Sequence, residues 1–209
     1  MHFRFLKISV SIDLSYWIFL LFVMGSAGGP YTESLLWSSV FTFSILIHEY
    51  GHALMALCFG AEPIILLQAF GGKTLFNESQ ITDKQKFFIT LAGPLFQGLW
   101  TLIAYLLFRY AIFGSSLFSY FLFLTTHINT RWLLLNLIPI MPLDGGWLVR
   151  YMLEKRFGHK GYLTSLIIGL VAAAIAIPLF YWQGYHWFFI IQLFICGWHY
   201  CKLWQKEQE

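Results

Sequence analysis

The sequence predicts an all-α polytopic membrane protein with about six transmembrane helices and a short membrane-associated β-hairpin or loop after the second. Three observations predict it. Of 209 residues, 58% are hydrophobic, 20% aromatic and only 11% charged, with a mean hydropathy of +0.67, whereas a soluble domain carries about 25% charged residues. Apolar stretches recur at bilayer-crossing length, and the basic residues fall on alternate sides of them. These stretches leave little chain for a separate soluble domain, so residues 1–209 read as a single domain. A net charge of +3, with basic residues scattered among apolar runs, argues against a nucleic-acid surface and makes lipid headgroups the expected counterions. Cys58, Cys196 and Cys201 show no C-x-x-C spacing, so neither a disulfide framework nor a cysteine metal site is expected.

The apolar segments run over residues 14–26, 35–59, 87–113, 117–140, 163–182 and 187–202. The first is short and follows Arg4 and Lys7, as in a signal peptide. It lacks a cleavage site followed by a polar mature region, and is expected to be a retained helix. The second contains His48-Glu49-Tyr50-Gly51-His52. Helical spacing sets His48 and His52 one turn apart on one face, where both imidazoles can reach one zinc ion, with Glu49 beside them as candidate general base. Such a motif implies metalloprotease chemistry, and metal-binding groups inside hydrocarbon are costly enough to mark function.

Between the second and third segments, Ile64-Ile65-Leu66-Leu67, turn-prone Gly71-Gly72 and Thr74-Leu75-Phe76 read as a β-hairpin at the cytoplasmic membrane surface. Its free edge would suit an extended substrate adding as a strand; the plainer reading is an interfacial connector. Ala92-Gly93-Pro94 in the third segment is expected to be a packing and kink element. His127, Asn129 and Arg131 form a polar patch in the fourth. A buried arginine there would cost about 2.5–3.5 kcal/mol, so these residues should face a water-filled cavity or pair within the bundle.

The fourth segment ends in Asn136-Leu137-Ile138-Pro139-Ile140-Met141-Pro142-Leu143-Asp144-Gly145-Gly146. Two prolines three residues apart cannot continue a helix, so the backbone should unwind and present Asp144 from an irregular segment. Two histidines and one such carboxylate would leave the fourth tetrahedral position open to water, as in catalytic zinc sites. Farther on, His159 reads as a solvated loop residue, and His186 and His199 as part of an aromatic interfacial belt with Trp182, Trp187, Trp198 and Trp204.

With the amino terminus inside, Arg4, Lys7, Lys73, Lys84, Lys86, Arg150, Lys155, Arg156, Lys160, Lys202 and Lys206 all fall on the inner side, and only Arg109 outside. That asymmetry predicts six crossings with both termini cytoplasmic, and places His52 and Asp144 toward the cytoplasmic side.

H-E-x-x-H in an early membrane helix and N-x-x-P-x-x-P-L-D-G-G about ninety residues later together resemble the site-2 protease family of intramembrane zinc metalloproteases. The layout is similar to its compact six-helix branch, and Ala92-Gly93-Pro94 to its A-G-P element; the resemblance covers residues 3–154. It implies one catalytic zinc held by His48, His52 and Asp144, Glu49 as the base that activates water, and Asn136 as a hydrogen-bonding group near the substrate or the reacting carbonyl. It further implies cleavage of membrane-tethered regulatory proteins in or near their transmembrane segments, in a prokaryotic cell membrane. No segment reads as a PDZ or nucleotide-sensing domain, so control is expected from a regulatory membrane partner, substrate trimming or helix gating.

The rival is a proteolytically inactive zinc-binding membrane adaptor or chaperone. Such proteins usually lose the base or a ligand, and all four residues are retained here. A metal transporter has no use for a base beside its metal, and Gly114-Ser115-Ser116 has no evident partner histidine for a serine protease.

Overall fold

The computed structural model describes residues 2–26, 31–69, 71–110 and 116–179, and 181, 190, 197, 198, 201 and 202 singly. Apart from those single residues, the predicted sixth segment lies outside the described residues, as do Gly114, Ser115, Trp182, His186, Trp187, His199 and Trp204. The chain divides into two compact units, Met1–Leu133 and Leu134–Glu209.

The first unit opens with a hairpin, β1 (His2–Phe5) and β2 (Ile8–Ile12). Its turn residues Leu6 and Lys7 both have positive φ, 50° and 66°, the backbone of a type I′ turn. After two helices the chain returns as β3 (Ile64–Gln68) and β4 (Gly71–Leu75). The sheet order is β1-β2-β3-β4; β2 and β3 pair in parallel with Val10 opposite Ile65, and β3 and β4 pair antiparallel with Ile65 opposite Thr74. The predicted hairpin at 64–76 is therefore present, but as half of a four-stranded sheet, and Gly71-Gly72 lies in β4 rather than at the turn.

Alternation decides which face of the sheet is buried. Ile8 and Val10 of β2 and Ile65 and Leu67 of β3 are wholly buried, forming a core with Tyr16, Phe41, Ile45 and Ala53. Helix α1 (Leu14–Ser26) begins where the Ser15 N–H donates to Asp13 Oδ1 at 2.9 Å. The hydrogen bonds from Ser15 hold the exposed Asp13 carboxyl below its usual range. The Tyr16 hydroxyl ties α1 to α2 (Tyr31–Cys58) by donating to Thr42 Oγ1 at 2.7 Å.

Two contacts join α2 to α3 (Asp83–Tyr110) without intervening side chains. A Cβ on Gly51 would lie 2.6 Å from the Ala92 carbonyl oxygen and 2.9 Å from Gly93 Cα, so only glycine lets the two backbones meet here. Small residues permit the same close approach between membrane helices generally. Helix α4 (Ser116–Asn136) contributes Leu122, Leu124, Thr125 and Asn129 to the buried interior. His127 and Arg131 lie on its exposed face; His127 Nδ1 is 2.9 Å from the Phe123 carbonyl, and no ion pair of either residue occurs among the described residues.

In the second unit, residues 137–143 unwind as the prolines require, with Met141-Pro142 in the cis form. Two differences from expectation follow. Asp144 does not sit in the irregular segment but opens a helix, α5 (Asp144–Phe157), which the sequence did not announce. Its charged residues Arg150, Glu154, Lys155 and Arg156 break up the apolar pattern that marks the other helices. The second difference is His159, which opens α6 (His159–Leu179) instead of lying in a loop, although it is exposed as expected. Gly158, at φ 57°, separates the two helices as a positive-φ glycine cap does. Ile140, Met141, Leu166, Ala173 and Ala176 form this unit's core, and the Arg150 guanidinium lies 3.9 Å from the centre of the Tyr162 ring while bonding Glu154 at 3.0 Å.

Six helices and a small sheet thus make up the described residues. Of the helices, α2, α3 and α6 are long and apolar enough to cross a membrane.

Candidate metal centre

His48, Glu49 and His52 lie on the buried side of α2, each less than a tenth exposed. Their ring and carboxylate positions are set by neighbours from two other elements, α3 and β4. The His52 Nδ1–H donates to the Ile89 carbonyl at 2.7 Å. A carbonyl can only accept, so Nδ1 carries the hydrogen and, in the neutral ring, His52 Nε2 carries a lone pair. Pro94 lacks the N–H that would bond the Thr90 carbonyl, which opens the α3 ladder one residue from that acceptor. Gly93 faces the His52 ring so closely that a Cβ there would overlap it.

His48 Nδ1 stands 3.0 Å from Gln97 Oε1. With that amide oxygen accepting, Nδ1 carries the hydrogen and Nε2 of His48 also presents a lone pair. The two Nε2 atoms are 3.0 Å apart, two acceptors aimed at the same space. A tetrahedral zinc with bonds of about 2.0–2.1 Å holds its nitrogens roughly 3.3 Å apart, so the imidazole pair fits a shared cation. Each ring's outer N–H has an acceptor, which is the arrangement metal-ligating histidines ordinarily show.

Glu49 is held by the sheet. Thr74 Oγ1, on β4, lies 2.7 Å from Glu49 Oε2 and 3.1 Å from the Glu49 carbonyl oxygen, two acceptors for its single proton. Gly72 on the same strand leaves room for the carboxylate: a Cβ there would stand 2.5 Å from Glu49 Cγ and 2.9 Å from Oε1. Within the described residues β4 is an outer strand of the sheet, so an unpaired backbone edge runs beside the candidate base.

The first unit therefore brings together His48, Glu49 and His52. Asn136 and Asp144 belong to the second: Asn136 is buried at the end of α4, and Asp144 is half-buried in the first turn of α5. Glycines seat that turn, for a Cβ on Gly145 would collide with the backbone of Leu137 and Ile138, and one on Gly146 with that of Ile140 and Met141. As a donor set, His48, His52 and Asp144 could hold a metal ion. The sequence gives no role at the site to Gln97, Thr74 or Gly72; a glutamine within the apolar stretch of α3 marks Gln97 as unusual without saying what it does.

An H-E-x-x-H helix with both imidazoles converging and a buried carboxylate beside them defines a metallopeptidase-type centre in a membrane protein. The comparisons agree. The Peptidase M50B-like model matches residues 15–143 and the Peptidase family M50 model residues 111–179. A zinc metalloprotease of Methanocaldococcus jannaschii is 29% identical over 75% of this chain and 46% of its own length, and stage IV sporulation protein FB of Bacillus subtilis is 35% identical over 54% of this chain and 38% of its own. A solved site-2 protease from Methanocaldococcus jannaschii shares the fold, with a TM-score of 0.62 at 23% identity, over 96% of this chain and 91% of that one. The chain belongs to the site-2 protease family, peptidase family M50, and zinc is the metal its relatives' names and its own donor set indicate. It spans less than half the length of those curated relatives.

Proposed function

We propose that this chain is an intramembrane zinc endopeptidase that cleaves membrane-tethered regulatory proteins in or near their transmembrane segments. The carrying observation is the placement of Glu49: its carboxylate is buried against the outer strand β4 and one residue from the first of two converging imidazoles.

His48, His52 and Asp144 would hold the ion. The chemistry zinc supplies when bound is a water acidified toward a pKa of about 7 and a polarised scissile carbonyl. Glu49 takes the proton from the attacking water and later delivers it to the departing amine. Asn136 donates from its amide to the substrate near the reacting carbonyl. A helix hides its carbonyls in its own hydrogen bonds, so the substrate must unwind before attack. Adding to the edge of β4 as a strand replaces those bonds and lays an extended backbone beside Glu49. Substrates with helix-weakening residues at the cut are favoured.

In this reading the chain works as one domain with six crossings and both termini in the cytoplasm of a prokaryotic cell, and its control comes from a membrane partner, from substrate trimming or from helix gating.

The test is cleavage of tagged single-span substrates by the detergent-purified chain, by Glu49→Gln and by chelated wild type. Glu49→Gln keeps the ligands and isolates the base. Cleavage by wild type alone supports the mechanism, whereas equal cleavage by Glu49→Gln refutes it. Zinc binding without any cleavage would favour the adaptor.

A further inference from the structure

Three buried side chains beyond the H-E-x-x-H motif form one directed chain ending on His48. Ser44 Oγ donates its single proton to the Val40 carbonyl at 2.6 Å, so it can only accept from Asn129 Nδ2, which lies 2.8 Å away. The second Nδ2 proton of Asn129 goes to the Thr125 carbonyl, also at 2.8 Å. Both amide hydrogens are thereby spent on acceptors, which leaves Asn129 Oδ1 as the end that faces Gln97. Gln97 Nε2 donates to it across a long 3.4 Å. That orientation turns Gln97 Oε1 toward His48 Nδ1. Each link leaves the next a single polarity, from a main-chain carbonyl to the ring. Gln97 and Asn129 are both fully buried, so neither amide can exchange its partners for water.

We propose that Gln97, oriented by Asn129, is a positioning residue that fixes His48 as the Nδ1–H tautomer and thereby keeps its Nε2 lone pair directed at the metal. The inference rests on the zinc reading above and names residues outside the H-E-x-x-H motif. The amide pair is what makes the fixing one-directional. A lone glutamine could present either its oxygen or its nitrogen, and with the nitrogen facing it the imidazole would carry its proton on Nε2, where a metal cannot bind. His52 needs no such device, because a main-chain carbonyl has only one polarity.

The experiment measures zinc affinity of the full-length, detergent-purified chain by competition with a chromophoric chelator, together with helix content and melting of the metal-free protein. Gln97→Leu removes the acceptor and is expected to weaken zinc about 10–100-fold, the usual effect of losing an outer partner of a ligating histidine, with metal-free helix content unchanged. Gln97→Glu restores an oxygen acceptor and is expected to recover most of the affinity. Asn129→Leu leaves Gln97 free to turn, giving a smaller loss of affinity and, in ring 15N spectra of the metal-free protein, a mixture of His48 tautomers where wild type shows Nδ1–H alone.

Wild-type affinity in Gln97→Leu, or no recovery in Gln97→Glu, overturns the proposal. If Gln97→Leu does not fold, the 15N spectrum of Asn129→Leu decides: a single Nδ1–H tautomer there overturns it. A wild-type chain that takes up no zinc would instead refute the zinc site itself, so the two failures are distinguishable.

Discussion

Gly93→Ala puts one methyl group against the ring of His52, a proposed metal ligand. Even the farthest of the three nearest ring atoms of His52, Cδ2, would lie only 2.9 Å from the new Cβ. An ordinary carbon contact is about 3.5 Å or more, so the ring must move by roughly half an ångström at the least. Two routes relieve the overlap. Holding the ring in place overpacks the α2–α3 contact at about 1–3 kcal/mol. Swinging it away breaks the bond from His52 Nδ1 to the Ile89 carbonyl, at a net cost of about 0.5–1.5 kcal/mol. The second route is cheaper. The fold should therefore survive while the ligand leaves a geometry that active sites hold to about 0.5 Å. Cleavage of a single-span substrate should fall about a hundredfold, as for a misplacement near 1 Å, and zinc should be lost at chelator concentrations wild type resists. Melting of the metal-free chain should change by no more than about 1.5 kcal/mol. Wild-type zinc affinity and rate in Gly93→Ala would refute this reasoning, and a large loss of stability with zinc binding intact would show that the helices moved and not the ring.

Three further outcomes are expected. Gly72→Ala displaces the Glu49 carboxylate from the β4 side, and Thr74→Val removes the hydroxyl donor on it. Both should lower the cleavage rate with zinc content unchanged, Thr74→Val by about ten- to a hundredfold if the lost bond to a charged acceptor is worth about 1.5–3 kcal/mol. Gly146→Ala drives a Cβ into the Ile140–Met141 backbone, where no side chain can swing aside, so thermal melting should report a loss of about 1–3 kcal/mol or more. Asp13, whose carboxyl is held below its ordinary range by hydrogen bonds from Ser15, contributes stability present above the unfolded carboxylate pKa of about 3.9 and lost as pH falls below it. The protection of the Ser15 amide against exchange, taken relative to the intrinsic rate at the same pH, should therefore fall on acidification in wild type and lose that pH dependence in Asp13→Asn.

The parts of the site that sequence reveals are those whose chemistry depends on spacing along one element. His48, Glu49 and His52 need only a helix to converge, and the break after Asn136 needs only the chemistry of proline. The hairpin at 64–76 is legible from the apolar run Ile64-Ile65-Leu66-Leu67 and the glycine pair after it, although that pair lies in β4 and not at the turn. The β1–β2 hairpin is not, because its type I′ turn is made by Leu6 and Lys7 instead of the Asn-Gly or Asp-Gly pairs that announce one. Helix α5 was hidden by its charges, as Arg150 is accommodated by Glu154 and the Tyr162 ring instead of by a polar loop. Gln97 and Thr74 escaped for a different reason. Each acts on a residue far away in sequence, and nothing local distinguishes a glutamine that orients a histidine from one that merely packs. Asn129 stands in the sequence as part of a polar patch with His127 and Arg131, yet the helix separates them: Asn129 is buried on one face, and the other two are exposed on another.

That separation bears on how the site tolerates change. Around the motif, three glycines each make space for a specific group: Gly51 for the α3 backbone, Gly93 for the His52 ring and Gly72 for the Glu49 carboxylate. All three are ordinary in φ, so it is close approach and not backbone strain that excludes a side chain at them. What they face then decides what a substitution does. At Gly93 and Gly72 the neighbour is a functional side chain that can swing aside, so the damage falls on chemistry and the fold is spared. At Gly51 the neighbour is backbone, the helices must part, and the displacement carries His48 and His52 together relative to Ile89 and Gln97. Gly51→Ala should therefore lose both fold stability and metal affinity, where Gly93→Ala loses mainly the second.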